Sequence, residues 1–505
     1  MPRILSSEFR IFAIIAFIAS LLLSAWSVFL DDVINNDGVE YVRAATAILQ
    51  GDWRAAQSIY KWPVYPVLLA LISGTLGTNP EIAAYVLNAT LTAITVCAYL
   101  GIIVQLGGDR RTLLIGTIVI LLFPTINDFR SFVVRDPGYL AFYLLSALYL
   151  FHYLQRPGIR EALASIVFMA IATLFRIEGA VFLLFIITYF LSHRMESRLR
   201  RGLLLIMMPM LGGLLVVIFG WWIFVPELSL TEEPVTIIQN AWQQVSIDFN
   251  RKISVIQRHL LGPYSAGYAY ILLIVATGLI VVAASVANLT ILHALLVGYA
   301  LRQRVLFPLA GGLRVWTALI LVNLSILFVF TVAKLFLTDR YPLAMALTIL
   351  VAVPFSLVLI YDEWKSKQGH SIRKNWLFPV AASIVLIMGI EGLDVSTSKR
   401  HIKAAGQWLA ANTPPNSLIY TNEKLIAYYS GRELELYGYA KDHRRFVGRI
   451  KRVSRKHDFL VLRDKTRDQN RLTMLRDQLK LVPIKTFSNK KGDQILIYDT
   501  RARLR

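Results

Sequence analysis

Asp37 and Lys61 carry the strongest chemical signal in this chain. Both lie in a polar stretch between long apolar runs, from Asp31 to Trp62, reading DDVINNDGVEYVRAATAILQGDWRAAQSIYKW. A carboxylate there can take a proton from a hydroxyl nucleophile. A lysine there can act as a point-charge contact for phosphate. Each also has a plainer reading. Gly38 allows a turn and Tyr41 to Leu49 has helical spacing, so Asp37 sits at or before a helix start, where aspartate is a preferred cap. Asp31 and Asp32 read as solvated loop acids. Lys61 sits beside Trp62 and Tyr65, as a snorkelling interfacial anchor does.

Three further clusters could join them. Asn127, Asp128, Arg130, Arg135 and Asp136 form a short polar segment, and Asp136-Pro137 has the signature of a helix start. Arg176 and Glu178 stand between two apolar runs. Charges at mid-bilayer cost about 2.5–3.5 kcal/mol each, so they form a private pair or face an anion in a water-filled cavity. Lys334, Asp339, Arg340 and Tyr341 mark a turn between spans. Lys334 reads as a snorkelling residue, and Arg340 with Tyr341 as a contact for a headgroup phosphate.

The elements that must position these residues are membrane helices. The 505-residue chain is 56% hydrophobic, far above a soluble protein of this length. Its apolar runs are continuous, which excludes a closed β-barrel. Spans are expected at about 9–30, 80–106, 112–126, 137–154, 161–175, 180–192, 202–225, 268–298, 315–337, 341–361 and 376–392. The 9–30 run is too long for a cleaved leader and reads as a retained span. The segment 63–76 is too short to cross and reads as a surface or re-entrant helix. Arg110, Arg111, Arg156, Arg160, Arg194, Arg198, Arg200, Arg201, Arg302, Arg304, Lys365, Lys367, Arg373 and Lys374 then share one side, the cytoplasm. The 31–62, 127–136 and 226–267 loops and the tail fall on the other.

The fold class is therefore an all-α polytopic membrane protein of about eleven transmembrane helices with a small C-terminal α/β soluble domain. The membrane core covers 1–395 and the soluble domain 396–505. In the latter, helices are expected at 401–411 and 470–479 and strands at 417–420, 459–462 and 494–498. The net charge of +21 beside a membrane core points to anionic headgroups or phosphate-bearing substrates, not nucleic acid. Cys97 is the one cysteine, so an internal disulfide is excluded, and it reads as core filler. The glycosylation triplets at Asn88, Asn288 and Asn323 lie inside hydrophobic runs and carry no such signal. No zinc, redox, P-loop or serine-hydrolase motif is present. No cofactor is certain, and a divalent metal ion stays open.

At these residues the chain resembles a GT-C class glycosyltransferase. It is similar to the family that includes protein O-mannosyltransferases and the lipid A aminoarabinose transferase. The resemblance rests on Asp37 with Tyr41, Gly51-Asp52-Trp53, Lys61 with Pro63 and Tyr65, Arg135-Asp136-Pro137, Arg176 with Glu178-Gly179, and Asp339-Arg340-Tyr341-Pro342. The tail segments Ala405 to Asn416 and Ala427 to Gly431 also resemble bacterial members. Many members have glutamate after the first-loop aspartate, where this chain has Gly38. Many have two prolines directly after the lysine, where Trp62 intervenes here.

The resemblance implies transfer of a sugar from a polyprenyl-phosphate carrier to a lipid, glycan or protein acceptor, at the outer (periplasmic) face of the inner membrane. Asp37 and Asp136 are then the catalytic candidates, with Asp37 the base. Tyr41, Lys61, Arg135, Arg176, Glu178, Arg340 and Tyr341 are the substrate-binding candidates. Direct displacement with inversion is expected, because no second carboxylate stands out as a nucleophile. The competing readings are a transporter or lipid flippase that uses Arg176, Glu178 and Lys334 as its path, and a non-enzymatic envelope scaffold.

Overall fold

The computed structural model describes residues 7–31, 33–192, 234–303, 311–366, 377–391, 399–432, 435–436, 456–464 and 482–501, with single residues 307, 309 and 453. The expected span at 202–225, the helix at 470–479 and the boundary at 395/396 lie outside them.

The apolar runs fold as helices: α1 (Ser7–Leu30), α2 (Asn36–Leu49), α3 (Trp53–Ile59), α4 (Val64–Leu76), α5 (Pro80–Gln105), α6 (Arg110–Leu121) and α7 (Pro124–Asp128). Then come α8 (Asp136–Gln155), α9 (Ile159–Phe175), α10 (Gly179–Ser192), α11 (Pro234–His259), α12 (Ala269–Leu289), α13 (Ile291–Arg302), α14 (Gly312–Lys334), α15 (Leu343–Leu350), α16 (Ala352–Ser366) and α17 (Leu377–Glu391). By length and composition, 5 helical stretches among the described residues can cross a membrane: Ser7–Leu30, Pro80–Gln105, Pro263–Leu289, Gly312–Lys334 and Leu343–Lys365.

Several expected boundaries change for identifiable reasons. The 112–126 run is two helices, because Pro124 cannot continue one and instead begins the next. The 268–298 run breaks at Thr290, which adopts φ 71° and ψ 146°. The Thr290 side chain caps α13 by accepting from the His293 backbone N–H. The 226–267 segment, expected as a loop, holds the 26-residue helix α11. Its polar and apolar residues are interleaved, so no continuous apolar run announced it. The 13-residue α4 is shorter than the roughly 20 residues a crossing takes.

Polar side chains lock the helices together, as expected where lipid gives little apolar driving force. Trp316 donates to the Thr348 carbonyl, and Tyr99 to that of Leu350. Tyr143 joins Thr348 and Asn323. The three glycosylation-triplet asparagines are all buried. Asn88 accepts from Tyr65 and donates to the carbonyls of Phe132 and Val134.

The C-terminal unit comprises α18 (Arg400–Asn412), α19 (Lys424–Ser430) and five strands: β1 (Ile419–Thr421), β2 (Glu435–Leu436), β3 (Phe459–Asp464), β4 (Lys485–Ser488) and β5 (Gln494–Asp499). The sheet order is β2-β1-β3-β5-β4. The strand β1 runs parallel to both neighbours, while β5 is antiparallel to β3 and β4. The short β2, β4 and α19 were not foreseen. This unit sits directly on the first polar segment. The Ile34 N–H donates to the Tyr429 hydroxyl at 2.8 Å, the Lys399 N–H to Asp31 at 3.2 Å, and the Tyr428 hydroxyl to Glu81 at 2.6 Å.

The two ends of the bundle gather different residues. The contacts Arg111–Asp362, Tyr299–Glu363 and Gln155 to the Gln105 carbonyl gather Arg110, Arg111, Arg156, Arg160 and Arg302 at one end. The 31–62 segment, the 129–135 segment, the α9–α10 and α14–α15 turns and the C-terminal unit gather at the other.

At that second end Arg130 is buried at 3% exposure. Its guanidinium donates to Asn127, to the Ser20 carbonyl and hydroxyl, and to Ser24. It thereby pins the 129–135 segment to α1. Arg130→Ala should cost about 3 kcal/mol, since hydrogen bonds to a charged group are worth about 1.5–3. Arg130→Lys should recover less than half, because an ammonium lacks the fork. Thermal unfolding in detergent measures both, and unchanged midpoints contradict this role.

Candidate functional site

Asp37 is the second residue of α2, not its cap. Asn35 holds the cap position but makes no side-chain cap bond. Its side chain instead accepts from the Val133 N–H at 2.7 Å, tying the first polar segment to the second. Gly38 does not turn the chain. It is helical and buried, and a Cβ there would lie 2.8 Å from Val133 Cβ and 2.7 Å from Ile34 Cγ1. No larger residue fits without a shift. This close contact leaves the Asp37 carboxylate on the outer rim of α2, 48% exposed, where Oδ2 lies 2.8 Å from Arg340 Nη1.

Asp136 is likewise not a cap. It is the first residue of α8, the cap position is Arg135, and the Asp136 carboxylate is held by arginines. One oxygen accepts from Arg176. The other lies 3.9 Å from Arg340 Nη1. Gly138 makes the first contact close: a Cβ there would lie 2.2 Å from the buried Phe175 ring. The start of α8 therefore rests against the end of α9, one residue before Arg176.

Arg176 resolves its two expected readings into a third. It pairs with Glu178 at 2.8 Å, but it also holds Asp136, so the pair is not private. Its guanidinium stacks 4.6 Å from the Tyr341 centroid and 5.7 Å from that of Tyr139. Burial pushes the Glu178 carboxyl up, but the Arg176 guanidinium outweighs it and holds the group below the usual carboxylate range. Glu178 lies in the turn between α9 and α10 and is ionised at neutral pH.

Asp37, Arg340, Asp136, Arg176 and Glu178 thus form one unbroken chain of alternating charge from four places in the sequence. Its five members are three carboxylates and two guanidinium groups. Arg135 interacts with Glu178, and Tyr41 with Asp136 and Arg340. Tyr41 is buried, with its ring edge-on to Tyr60 and Tyr65 at 4.7 and 5.0 Å, so it fixes α2 on α4. Lys61 is exposed. Its neighbour Trp62 donates to the Leu174 carbonyl, which places Lys61 near the end of α9. Lys334 is exposed at the C-terminus of α14, where the helix dipole favours a cation.

The chain of charges meets solvent at Asp37. An open cavity of about 300 Å³ lies there, lined by Asn35, Asp37, Phe132, Asp339, Arg340 and Lys399 among others. Lys399 comes from the C-terminal unit, and nothing in the sequence around it singles it out. As for a metal, no group of three or more His, Cys, Asp or Glu among the described residues is placed to hold one. The three carboxylates of the charged chain are separated by guanidinium groups and do not converge, so this cluster does not fit a divalent ion.

Removing Arg176 leaves the mostly buried Asp136 with only Arg340 at 3.9 Å and Glu178 with only the nearby Arg135. Arg176→Met should therefore cost about 3–5 kcal/mol. Adding Glu178→Gln should return part of that loss. Melting in detergent tests the pair, and a single variant as stable as the parent contradicts the coupling.

Neither a family model nor a curated protein matches the sequence. Solved structures do match. The chain is similar to ArnT from Cupriavidus metallidurans in the apo state, with a TM-score of 0.53 and 14% identity, over 97% of this chain and 98% of that one. It is similar to the same protein bound to undecaprenyl phosphate, with a TM-score of 0.51 and 12% identity, over 96% and 97%. An oligosaccharyltransferase from Archaeoglobus fulgidus aligns with a TM-score of 0.48 and 12% identity, over 88% and 67%. Identity this low establishes the fold alone. It is the GT-C-like fold expected from the sequence.

Proposed function

We propose that this protein is a membrane glycosyltransferase that moves a sugar from a polyprenyl-phosphate carrier to an acceptor hydroxyl at the outer face of the membrane. The observation that carries this reading is the Asp37–Arg340 pair, set at the mouth of an open cavity and backed by Asp136 and Arg176. The ArnT structure with undecaprenyl phosphate supports a phosphate carrier as donor on this fold.

The chemistry divides among the residues present. The acceptor oxygen attacks the anomeric carbon as the bond from that carbon to the carrier phosphate breaks. The acceptor proton passes to Asp37, and the polyprenyl phosphate leaves with the electron pair. Arg340 stands between base and leaving group. When the carrier phosphate enters, it competes for the same guanidinium. Loosening of the 2.8 Å pair then frees the Asp37 carboxylate for the acceptor hydroxyl while Arg340 stabilises the departing charge. Asp136 restrains Arg340 from behind, and Arg176, fixed by Glu178 and Tyr341, restrains Asp136. Lys61 contacts the carrier phosphate from the exposed side. A single displacement inverts the anomeric centre. The end that carries Arg110, Arg111, Arg156, Arg160 and Arg302 faces the cytoplasm, and the cavity faces outward.

The transporter reading through Arg176, Glu178 and Lys334 gains no support from the first two, which are engaged with each other and with Asp136.

The test is sugar release from a panel of polyprenyl-phosphate sugars by the purified protein. Asp37→Asn keeps the shape and removes the base, so kcat should fall by about a hundredfold or more. Full activity in that variant removes Asp37 from the mechanism.

A further inference from the structure

Lys399 lines the Asp37 cavity although it belongs to the C-terminal unit. Its backbone N–H is bound to Asp31, and the adjacent Arg400 donates to the Phe29 carbonyl. Its position is therefore set by the same segment that carries Asp37. The ammonium lies 5.8 Å over the Phe132 ring and makes no ion pair among the described residues. The charges on the cavity wall are Asp37, Asp339, Arg340 and Lys399. Arg340 is engaged by Asp37 and approached by Asp136. Without Lys399 the mouth would be net negative and would repel an anion. With it, the two cations balance the two carboxylates, and Lys399 is the cation that pairs with neither of them. The amide of Asn36 and the hydroxyl of Thr338 on the same wall add neutral donors for a group with several acceptor oxygens.

We infer that Lys399 is a substrate-positioning residue that holds a phosphate-ester oxygen at the cavity mouth, beside Asp37. The C-terminal unit is then a working part of the site, which is incomplete without it. The inference deepens the proposed transfer reaction and rests on that reading. The phosphate belongs either to the lipid carrier or to a water-borne acceptor, and the experiment separates the two.

Binding to the full-length protein in detergent is measured by calorimetry with farnesyl phosphate, farnesol and glycerol phosphate. Lys399→Met keeps most of the side chain's volume and removes the charge. It should raise the Kd for the phosphate ester about tenfold, as expected for loss of one charge-assisted contact. Lys399→Arg should restore it to within about threefold. Farnesol binding and the melting temperature should not move, as they would if Lys399 only supported the fold. Dependence on Lys399 confined to farnesyl phosphate assigns the group to the carrier. Dependence confined to glycerol phosphate assigns it to the acceptor side, and either result supports the inference. Equal binding of both esters by parent and Lys399→Met overturns it, as does a parent that binds neither. Sugar transfer assayed on the same samples keeps the two claims apart. Normal transfer and unchanged KM in Lys399→Met sink this inference alone. Lys399-dependent phosphate binding without any sugar transfer by the parent sinks the transfer reading alone.

Discussion

A charge placed at the edge of a hydrocarbon layer must be paired or solvated, and this end of the molecule is organised around that constraint. Arg176 and Arg340 each bridge carboxylates from distant parts of the chain. Coulomb attraction strengthens as water is excluded, while the cost of an unpaired charge rises with it. The start of α2, the start of α8, the α9–α10 turn and the α14–α15 turn therefore have to meet. Moving any one of them strands a charge held by another.

The surrounding structure serves that meeting. Gly38 lets α2 approach the segment between α7 and α8, and Gly138 lets α8 approach the end of α9, at distances that no side chain would permit. Asn35 and Asn88 satisfy the irregular backbone between α7 and α8, which cannot lie unsatisfied at membrane depth, and Arg130 ties that segment to α1. The C-terminal unit is bound to the same segments through Tyr428, Tyr429 and Lys399. Burial grades along the charged chain, from a nearly enclosed Arg176 at 9% side-chain exposure to Asp37 at 48%. The deep end keeps geometry, and the open end can exchange partners. That gradient is what a base needs if it is to be released when substrate arrives.

Much of this was legible in the sequence. Long apolar runs gave the helices, and isolated charges between them gave Asp37, Asp136, Arg176, Glu178 and Arg340. Such charges are costly in lipid, so their presence alone implied partners. Which partner each one takes was not legible, because pairing depends on how helices far apart in sequence meet. Asp37 and Asp136 both looked like caps, since aspartate before a helix satisfies a local rule. Tertiary pairing overrides that rule in both cases. The helix α11 escaped notice because its apolar residues do not run together. Lys399 escaped because its role arises only when the C-terminal unit docks. Gly38 looked like a turn because glycine permits one, whereas its function is the missing side chain.

The central claim is that the Asp37–Arg340 pair opens to receive a phosphate-linked sugar. A structure of the full-length protein with a non-hydrolysable polyprenyl-phosphate sugar tests it most directly. The account predicts phosphate density within about 3 Å of Arg340, with the Asp37 carboxylate turned from Arg340 toward the acceptor side of the anomeric carbon. Phosphate density bound elsewhere, with the Asp37–Arg340 pair still closed at 2.8 Å, contradicts it.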